Sequence, residues 1–553
     1  MPQAGLELGS PANFRLTRLR ITTELRMAHF DSLGFFYFLV LRLLLKSNQW
    51  YINMLPIIIA VVAVSIFLFY KYYVSIYEKW EKRGFPFIPG KFPYGSSADY
   101  EKRVRFPGQI MQEMYHKMSE HPYFGIYLVR VPWLVVRDPE IIRLVMTKEF
   151  NHFRDRFIHK FPEEDKVNQH LFNLQGEKWR TLRVKLTPTF TSGKMKGMFP
   201  LFKSCAETLT QSLKSKVGSE VDMKNLVTGF TLDVITSCAF GLDPESINQP
   251  GRELKNLSKF FSKRKWYHHF IHELARAFPS LASTGRVIPI EMEEFLIKLV
   301  GDTIEFREKN NIKRNDFLDL LIQLKNKGTI GEGANDEITE PFEMDMGLMA
   351  AQTFVFLFAG METSSSVQNW CLYELALQQD LQQRLREEID RVLEKHGEVT
   401  YQAVQEMEYL HMVISETIRK YPTIPGLIRA CTTPITLPTG DRLERGDNML
   451  IPVFSIHRDP QYYPDPEKFD PERFSPENIG SIRPFTYMPF GEGPRICIGN
   501  RFGLMQTKVG IMTVLRDFKV IPCDKTPKTM EYGHRPEITQ PIESIITKLV
   551  PRD

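Results

Sequence analysis

The stretch that decides the fold lies near the C-terminal end of the chain and reads Phe490-Gly-Glu-Gly-Pro-Arg-Ile-Cys-Ile-Gly499. It specifies phenylalanine, glycine, arginine, cysteine and glycine at five positions, a pattern expected by chance about 10⁻⁴ times in a chain of this length. Gly493 and Gly499 have no Cβ and so allow close approach of the backbone to another group, and Arg495 offers a fork of donors to a carboxylate. A helix beginning after Gly499 would point its amide donors at Cys497 and favour the thiolate, so Cys497 is a candidate metal ligand.

Cys497 differs from the other cysteines because of these neighbours. The remaining five are scattered without a CxxC pair or a zinc-like spacing: Cys205, Cys238, Cys371, Cys431 and Cys523. This usage predicts neither a disulfide framework nor a structural metal, and it is typical of a reducing compartment. An isolated cysteine there is usually a small buried apolar residue.

The composition predicts a large globular protein. Of the 553 residues, 43% are apolar and 25% are charged, which is unlike a disordered chain. The net charge of +5 arises from 71 basic and 66 acidic residues, a balance that argues against a nucleic-acid partner. No internal repeat or long Gly/Ser linker divides the chain beyond residue 95, so we expect a single domain over residues 96–553.

One apolar segment predicts a membrane anchor. Residues 54–70 read MLPIIIAVVAVSIFLFY without a charge, and aromatic residues flank the run on both sides. Since the segment has no small-residue cleavage site, we expect a retained transmembrane helix over residues 54–73. Basic residues lie on both sides of the span, so charge alone leaves its orientation open.

The segments on either side of this anchor have separate interpretations. Residues 1–53 form an extension of unknown role, whose apolar run at 35–45 is interrupted by Arg42 and is too short to span a membrane. We hypothesise that the native chain starts at Met54, which would give the anchor an unambiguous orientation. Residues 74–95 are predicted to be a basic, proline-rich linker with a stiff turn at 84–90.

Residue patterns predict a mainly helical domain. Strand-forming residues at 124–136 surround a break at Val131-Pro132, and a helix is expected from Asp138. Helical periodicity predicts further helices at 342–374, 380–394 and 401–421, and Pro422 ends the last. The proline-dense stretch 452–489 is expected to be irregular but to lie inside the domain, which is usually a sign of function.

The predicted helix at 342–374 contains Ala359-Gly-Met-Glu-Thr363. Ala359, Glu362 and Thr363 are spaced i, i+3 and i+4, so one helix face combines a small, an acidic and a hydroxyl side chain.

Two further pairs share helix faces in the same way. Glu416 and Arg419 place opposite charges at i and i+3, and Trp179 and Arg183 stand at i and i+4. An ExxR pair occurs by chance about once or twice in such a chain, and a lone tryptophan is as often core as ligand, so the order of the motifs carries the argument.

Taken in order, these motifs resemble the cytochromes P450. The resemblance runs from about residue 80 to the C-terminal end, and WRTLRVKLTPTFTSGKMK at 179–196 and FAGMETSSS at 358–366 are similar to insect microsomal P450s of the xenobiotic-metabolising clan. The implied fold is mainly α with a small β region, preceded here by one N-terminal transmembrane helix.

The resemblance implies roles for the residues above. Cys497 would ligate the iron of haem b (iron protoporphyrin IX). The remaining cofactor-binding residues would be Trp179, Arg183, Arg429, Phe490, Gly493, Arg495 and Gly499. Ala359 and Gly360 would make room for dioxygen, and Glu362 and Thr363 would deliver protons during its activation. The family also pairs its ExxR residues with an arginine such as Arg473 in Pro471-Glu-Arg-Phe474, so Glu416, Arg419 and Arg473 should form a buried structural network.

The resemblance also implies a reaction and partners. The enzyme would be a monooxygenase that takes electrons from NADPH through cytochrome P450 reductase, with cytochrome b5 as a second candidate donor. It would lie in the endoplasmic reticulum membrane with its catalytic domain in the cytosol. Because Lys178, Arg180 and Lys185 lie on the helix of Trp179, they could form a basic patch that steers an acidic reductase.

Lipophilic molecules are the expected substrates, including plant toxins, insecticides, hormones and fatty acids. Phe354 and Phe358 are the preferred pocket residues. Six other phenylalanines are alternatives: Phe153, Phe157, Phe172, Phe240, Phe260 and Phe261. Two other functions stay open, a haem-thiolate isomerase or dehydratase and a non-catalytic haem- or lipid-binding protein, but Glu362 and Thr363 argue against both.

Overall fold

A computed structural model describes residues 51–156, 161–241, 288–328, 343–534 and 538–552. The chain divides into two compact units, Met1–Tyr72 and Tyr73–Asp553. Most of the predicted N-terminal extension, residues 1–50, lies outside the described residues. The segment Met54–Lys82 has a mean hydropathy of 2.3 with an unburied apolar window, and it is long and apolar enough to cross a membrane.

Helices make up most of the described chain. In chain order they are α1 Tyr51–Val74, α2 Lys79–Lys82, α3 Ala98–Lys102, α4 Pro107–Lys117, α5 Pro139–Arg143, α6 Gly176–Leu186, α7 Ser192–Lys214, α8 Met223–Ala239, α9 Ile290–Lys309, α10 Phe317–Lys327, α11 Met346–Leu377, α12 Gln379–His396, α13 Tyr401–Glu406, α14 Glu408–Lys420, α15 Val453–Ile456 and α16 Asn500–Asp517. With the small sheets described next, they confirm a mainly α fold.

The strands form small sheets at the edge of the helical body. They are β1 Tyr123–Leu128, β2 Val131–Val136, β3 Glu220–Asp222, β4 Leu427–Ala430, β5 Ile435–Thr436, β6 Arg442–Leu443, β7 Asn448–Ile451, β8 Phe518–Pro522 and β9 Ile546–Pro551. The strand orders are β1-β2-β7-β4, β3-β9-β8 and β5-β6. The first sheet is antiparallel except for the parallel pair β2 and β7.

The hairpin of β1 and β2 corrects the predicted break at Val131-Pro132. Pro132 lies inside β2 and pairs with Tyr127, and the chain turns at Val129, whose φ of 54° is positive. The following helix agrees with the prediction, because the Asp138 carboxylate accepts from the amides of Glu140 and Ile141 and caps α5.

The segment predicted as a linker, residues 74–95, is a packed part of the second unit. Trp80 is fully buried, and its ring lies over Gly125 of β1, where a Cβ atom would come within 2.4 Å of the indole. Asp447 binds Lys79 at 2.7 Å and Arg83 at 2.9 Å. These contacts hold the start of the second unit firmly against its sheet.

Helix α11 runs through the middle of the second unit. It is long and apolar enough to span a membrane, yet it packs against α8, α9, α14 and α16. Gly360 explains part of this close packing, because a Cβ atom there would lie 2.8 Å from Ile235 Cδ1 of α8. Helix α11 is therefore the central core helix of the domain.

The helix predicted at 401–421 is two helices, α13 and α14, separated at Met407. The Met407 backbone is extended, with φ −72° and ψ 92°. Buried Lys508 of α16 donates to the carbonyls of Val404 at 3.3 Å and Met407 at 3.0 Å, which terminates α13. Buried Glu388 of α12 accepts from the first amides of α14 at 2.7 and 2.9 Å. Two side chains distant in sequence therefore create a helix break that no local signal predicts.

We expect Lys508→Met to destabilise the domain by about 1–3 kcal/mol, because the two carbonyls at the end of α13 would lose their buried donor. Equilibrium unfolding in denaturant measures this loss. Lys519→Met on β8 provides a control for removal of a lysine from the same end of the chain. An unfolding midpoint of Lys508→Met equal to that of the wild type would contradict the capping role.

Candidate active site

Cys497 lies at the end of a loop closed by main-chain hydrogen bonds. The Cys497 amide donates to the Phe490 carbonyl at 2.9 Å, and α16 begins three residues later. Gly493 has a φ of 72°, and a Cβ atom there would lie 1.9 Å from the Met146 carbonyl oxygen. Position 493 therefore requires glycine, because any side chain would collide with the backbone at Met146. Position 499 has no such requirement, since a Cβ atom on Gly499 would meet nothing closer than 3.9 Å.

The Cys497 side chain faces an internal space. It is enclosed deep in the domain and yet keeps accessible surface, unlike the buried thiols of Cys205, Cys238, Cys371 and Cys431. Burial raises the pKa of the Cys497 thiol, while the Gly499 amide and the guanidinium groups of Arg183 and Arg156 lower it. The net effect is a raised pKa, so the amide and the guanidinium groups offset only part of the effect of burial.

Four arginines surround this space: Arg156, Arg183, Arg429 and Arg495. Burial lowers the pKa of Arg156, Arg429 and Arg495 to about 9 in each case, and repulsion between these guanidinium groups contributes to the shift. Burial also lowers the pKa of Arg183. Such a concentration of buried positive charge is unfavourable without an anionic partner.

Asp155 supplies only part of the missing negative charge. It accepts from Arg495 Nη2 at 3.0 Å and from the Gly176 amide at 3.0 Å. Arg495 Nη1 and Arg429 Nε are buried and have no hydrogen-bond partner among the described residues. These unpaired donors fit a ligand with two carboxylates, and haem has two propionates, so the residues present fit haem, whose iron Cys497 would bind.

Trp179 contacts this arginine cluster through its ring. Its ring lies 4.0 Å from the Arg495 guanidinium carbon in a cation–π contact, and Arg183 follows one turn later on α6. Arg429 is placed by β4, which the amide of Ala430 joins to the Asp155 carbonyl at 2.8 Å. The structure thus brings the predicted propionate donors together around one space.

Arg156 and Asp155 were not predicted as site residues. They lie in an irregular segment, and Arg156 donates to the Phe172 carbonyl at 3.0 Å and stacks on the Phe172 ring at 4.1 Å. The only local signal is the run Phe153-Arg-Asp-Arg156 itself, which carries no periodicity.

Helix α11 borders the same region through the turn that contains Ala359, Glu362 and Thr363, which we call the polar turn. Ala359 is exposed although the helix lies in the core, and Thr363 Oγ1 donates to the Ala359 carbonyl at 2.5 Å. Glu362 accepts a hydrogen bond from Gln540. Ser364 lies 3.7 Å from the Cβ position of Gly503 on α16, the helix that follows Cys497. The acid and the alcohol are adjacent but are not hydrogen-bonded to each other.

Aromatic side chains occupy the preceding turns of α11. The Phe354 and Phe358 ring centroids are 4.8 Å apart, and His170 lies 6.3 Å from Phe354 and 6.5 Å from Phe172. Phe172 keeps 47% of its surface exposed and is a further pocket candidate. Phe153 and Phe240 are fully buried core residues, and Phe157, Phe260 and Phe261 lie outside the described residues.

Glu416, Arg419 and Arg473 lie close together between α14 and the irregular stretch. Arg419 binds both oxygens of Glu416, at 2.7 and 2.8 Å, and both side chains are fully buried. Arg473 Nε lies 3.5 Å from Glu416, and the Asp470 amide donates to Glu416 at 2.8 Å. Arg419 also donates to the carbonyls of His457 and Pro466, so the network pins the irregular stretch to α14.

His457 extends the network to the cysteine loop, a role that sequence reasoning missed. Its Nε2 accepts from the Met488 amide at 3.0 Å, and its Nδ1 lies 3.2 Å from the Arg419 carbonyl. Because an amide only donates, the ring is neutral with its proton on Nδ1. Burial, together with repulsion from Arg419, lowers the pKa of His457 to about 3.

The predicted basic patch is only partly available. Lys178 and Arg180 are highly exposed and form ion pairs with Glu163 at 3.2 Å and Glu177 at 3.9 Å. Lys185 is half-buried and donates to the Gly328 carbonyl at 2.8 Å. Because exposed ion pairs are weak, Lys178 and Arg180 remain available to a charged partner.

The chain is similar to known proteins over most of its length. The family model described as cytochrome P450 matches residues 94–549. Cytochrome P450 6k1 of Blattella germanica is 41% identical over 87% of this chain and 94% of its own length. Cytochrome P450 6a2 and cytochrome P450 6a8 of Drosophila melanogaster are 39% and 37% identical over 87% and 86% of this chain, and over 96% and 94% of their own lengths.

The thiol, the arginine cluster and the polar turn of α11 define a haem-thiolate oxidoreductase. The chain belongs to the cytochrome P450 family, and it is a haem-dependent monooxygenase whose N-terminal helix is long and apolar enough to span a membrane. Cys497 would hold the haem iron, and the haem would supply the chemistry that activates dioxygen. The arginine cluster would bind the propionates, and Glu362 and Thr363 would hold protons.

Acid should weaken the fold through His457. Its pKa is about 3 in the folded chain, against an ordinary value near 6.5, so the unfolded chain binds more protons between these limits. We expect the free energy of unfolding to fall as pH drops from about 6.5 towards 3, and His457 contributes about 1.4 kcal/mol per pH unit. His457→Gln, which keeps an acceptor for Met488, should have the smaller slope in denaturant titrations at several pH values. Exposed His116→Gln is the control, and equal slopes for wild type and His457→Gln would contradict this role.

Proposed function

We propose that this protein oxidises lipophilic xenobiotics or endogenous lipids and hormones, with electrons that pass from NADPH through cytochrome P450 reductase. The observation that carries the proposal is the arrangement along α11, where the aromatic pair Phe354 and Phe358 precedes Glu362 and Thr363 on one rigid helix. Apolar rings suit a lipophilic substrate, and an acid beside an alcohol suits proton delivery to activated oxygen.

In the proposed proton transfer, Thr363 and Glu362 have different roles. Thr363 keeps its hydroxyl proton on the Ala359 carbonyl and must rotate away before it can donate elsewhere. Glu362 is half-buried and offers a carboxylate one residue earlier, so it can return a proton to Thr363 directly or through water. An isomerase or a passive haem-binding protein has no need for this pair.

The apolar anchor supports a place in the endoplasmic reticulum membrane. In a chain that starts at Met54, Lys71 and Lys82 would follow the apolar run with no basic residue before it, which would favour a cytosolic catalytic domain. A cytosolic domain would be accessible to reductase, and to cytochrome b5 as a second electron donor. A membrane location also gives lipophilic substrates a high local concentration near the domain.

The reaction is tested with full-length protein, reductase, NADPH and isotopically labelled dioxygen against a panel of lipophilic compounds. We expect labelled product that disappears in Cys497→Ser. We also expect Thr363→Ala to lower product per NADPH by about 10-fold and to raise peroxide release, because proton delivery is lost. Thr353→Ala is a matched control, since Thr353 donates to the Met349 carbonyl at 2.9 Å on the same helix.

Two results would count against the proposal. Haem binding with the reduced carbon monoxide spectrum of the family, but without labelled product on any substrate, would favour an isomerase or a binding protein. Equal coupling in Thr363→Ala and Thr353→Ala would remove the proton-delivery role of Thr363.

The reductase surface is tested by charge reversal on α6. The double variant Lys178→Glu, Arg180→Glu should raise the reductase concentration for half-maximal turnover by about 10-fold at low salt, because attraction between the partners is lost. The rate at saturating reductase should stay unchanged. Arg442→Glu, Arg445→Glu on the exposed β5–β6 region reverses the same charge as a control. The same half-maximal reductase concentration in both double variants would contradict a role for Lys178 and Arg180 in binding reductase.

A further inference from the structure

Glu362 is held at the end of a hydrogen-bonded chain that begins on another helix. Lys224, in the first turn of α8, donates to Gln540 Oε1 at 2.8 Å. Gln540 Nε2 in turn donates to Glu362 Oε1. The chain joins α8, the segment 538–541 and α11 through side chains that are all half-buried.

The backbone of the segment 538–541 is fixed along the Glu362 face of α11. Ser366 and Trp370, one and two turns after Glu362, donate to the Thr539 carbonyl at 2.8 and 3.1 Å. The Thr539 amide and hydroxyl donate to the carbonyls of Thr423 and Pro422 at 2.9 and 2.6 Å. Gln540 therefore extends from a rigid support, and a rigid support is what a positioning residue requires.

The charges at the two ends determine the orientation of the Gln540 amide. An ammonium group can only donate and a carboxylate can only accept, so the amide oxygen faces Lys224 and the amide nitrogen faces Glu362. This arrangement polarises the amide and strengthens both hydrogen bonds. It also binds one oxygen of Glu362, while Oε2 has no hydrogen bond to the described part of the chain.

We propose that Gln540, supported by Lys224, is a positioning residue that holds the Glu362 carboxylate in one rotamer with its second oxygen available for proton transfer. The proposal rests on the proposed role of Glu362 in proton delivery. Without Gln540 the glutamate would sample several rotamers, and its free oxygen would reach Thr363 or a bridging water in only a fraction of them.

The test measures product formed and peroxide released per NADPH in haem-loaded full-length protein with reductase. We expect Gln540→Leu and Lys224→Met each to lower product per NADPH by about 3-fold, part of the 10²- to 10⁴-fold effect of a positioned proton donor. Lys224→Arg should restore coupling, because it keeps a cationic donor. Lys216→Met is the control, since Lys216 is also half-buried but binds the Ser212 hydroxyl at 2.8 Å. Haem content from the reduced carbon monoxide spectrum verifies that each variant is loaded.

A thermal-unfolding double-mutant cycle gives a readout that does not depend on turnover. The shifts caused by Lys224→Met and Glu362→Gln should be non-additive in the wild-type background, because the chain couples the two residues. In the Gln540→Leu background, the same two shifts should become additive. This change in additivity would not follow from a general loss of packing.

The outcomes separate this inference from the proposed function. If Glu362→Gln uncouples turnover but Gln540→Leu and Lys224→Met do not, the positioning role is overturned and the role of Glu362 stands. If Glu362→Gln leaves coupling unchanged, the role of Glu362 fails, and the inference fails with it. If Gln540→Leu uncouples turnover as strongly in the Glu362→Gln background as in the wild type, Gln540 acts elsewhere, which also overturns the proposal.

Discussion

The buried ion pair of Glu416 and Arg419 is the interaction on which the rest of the site depends. Removal of one partner from such a pair costs about 3–5 kcal/mol, because an uncompensated charge stays buried. Loss of Arg419 would also leave the carbonyls of His457 and Pro466 without their donor, because the same guanidinium binds both. His457 then holds the Met488 amide, two residues before Phe490, whose carbonyl closes the Cys497 loop. Hydrogen bonds and the short backbone from Met488 to Phe490 therefore link α14 to Cys497.

The arginine cluster places a second constraint on the fold. Repulsion between the guanidinium groups of Arg156, Arg429 and Arg495 opposes folding, and Asp155 offsets only part of it. A bound dianionic cofactor would offset the remainder, so cofactor binding and folding of this region would be thermodynamically linked. The cluster also gives the site selectivity, because a neutral planar molecule of the same size would leave donors such as Arg495 Nη1 unpaired.

Sequence reasoning recovered the residues whose spacing places them on one helix face. Glu416 with Arg419 and Trp179 with Arg183 are examples, because helical periodicity is a local property. It missed Arg156, His457 and Gln540, whose partners are distant in the sequence and whose own segments have no period. The break at Met407 was missed for the same reason, since Lys508 and Glu388 create it from two other helices. Local chemistry thus predicts which residues react, and tertiary contacts decide which residues position them.

Helix α11 carries both the aromatic pair and the acid–alcohol pair, so the proposed substrate contact and the proposed proton delivery would share one rigid element. Phe354 and Thr363 are nine positions apart, and at about 1.5 Å per residue they are separated by about 14 Å along the axis. The close packing of Gly360 on Ile235 holds this part of the helix against α8. Helix α8 also carries Lys224, so the polar chain to Glu362 and the support of the helix come from the same neighbour. Because the aromatic rings and the acid are fixed on one rod, a substrate that packs on the rings has a set distance to the proton-delivering turn. Substitutions at the aromatic turn can therefore change the substrate while the proton-delivering turn stays in place.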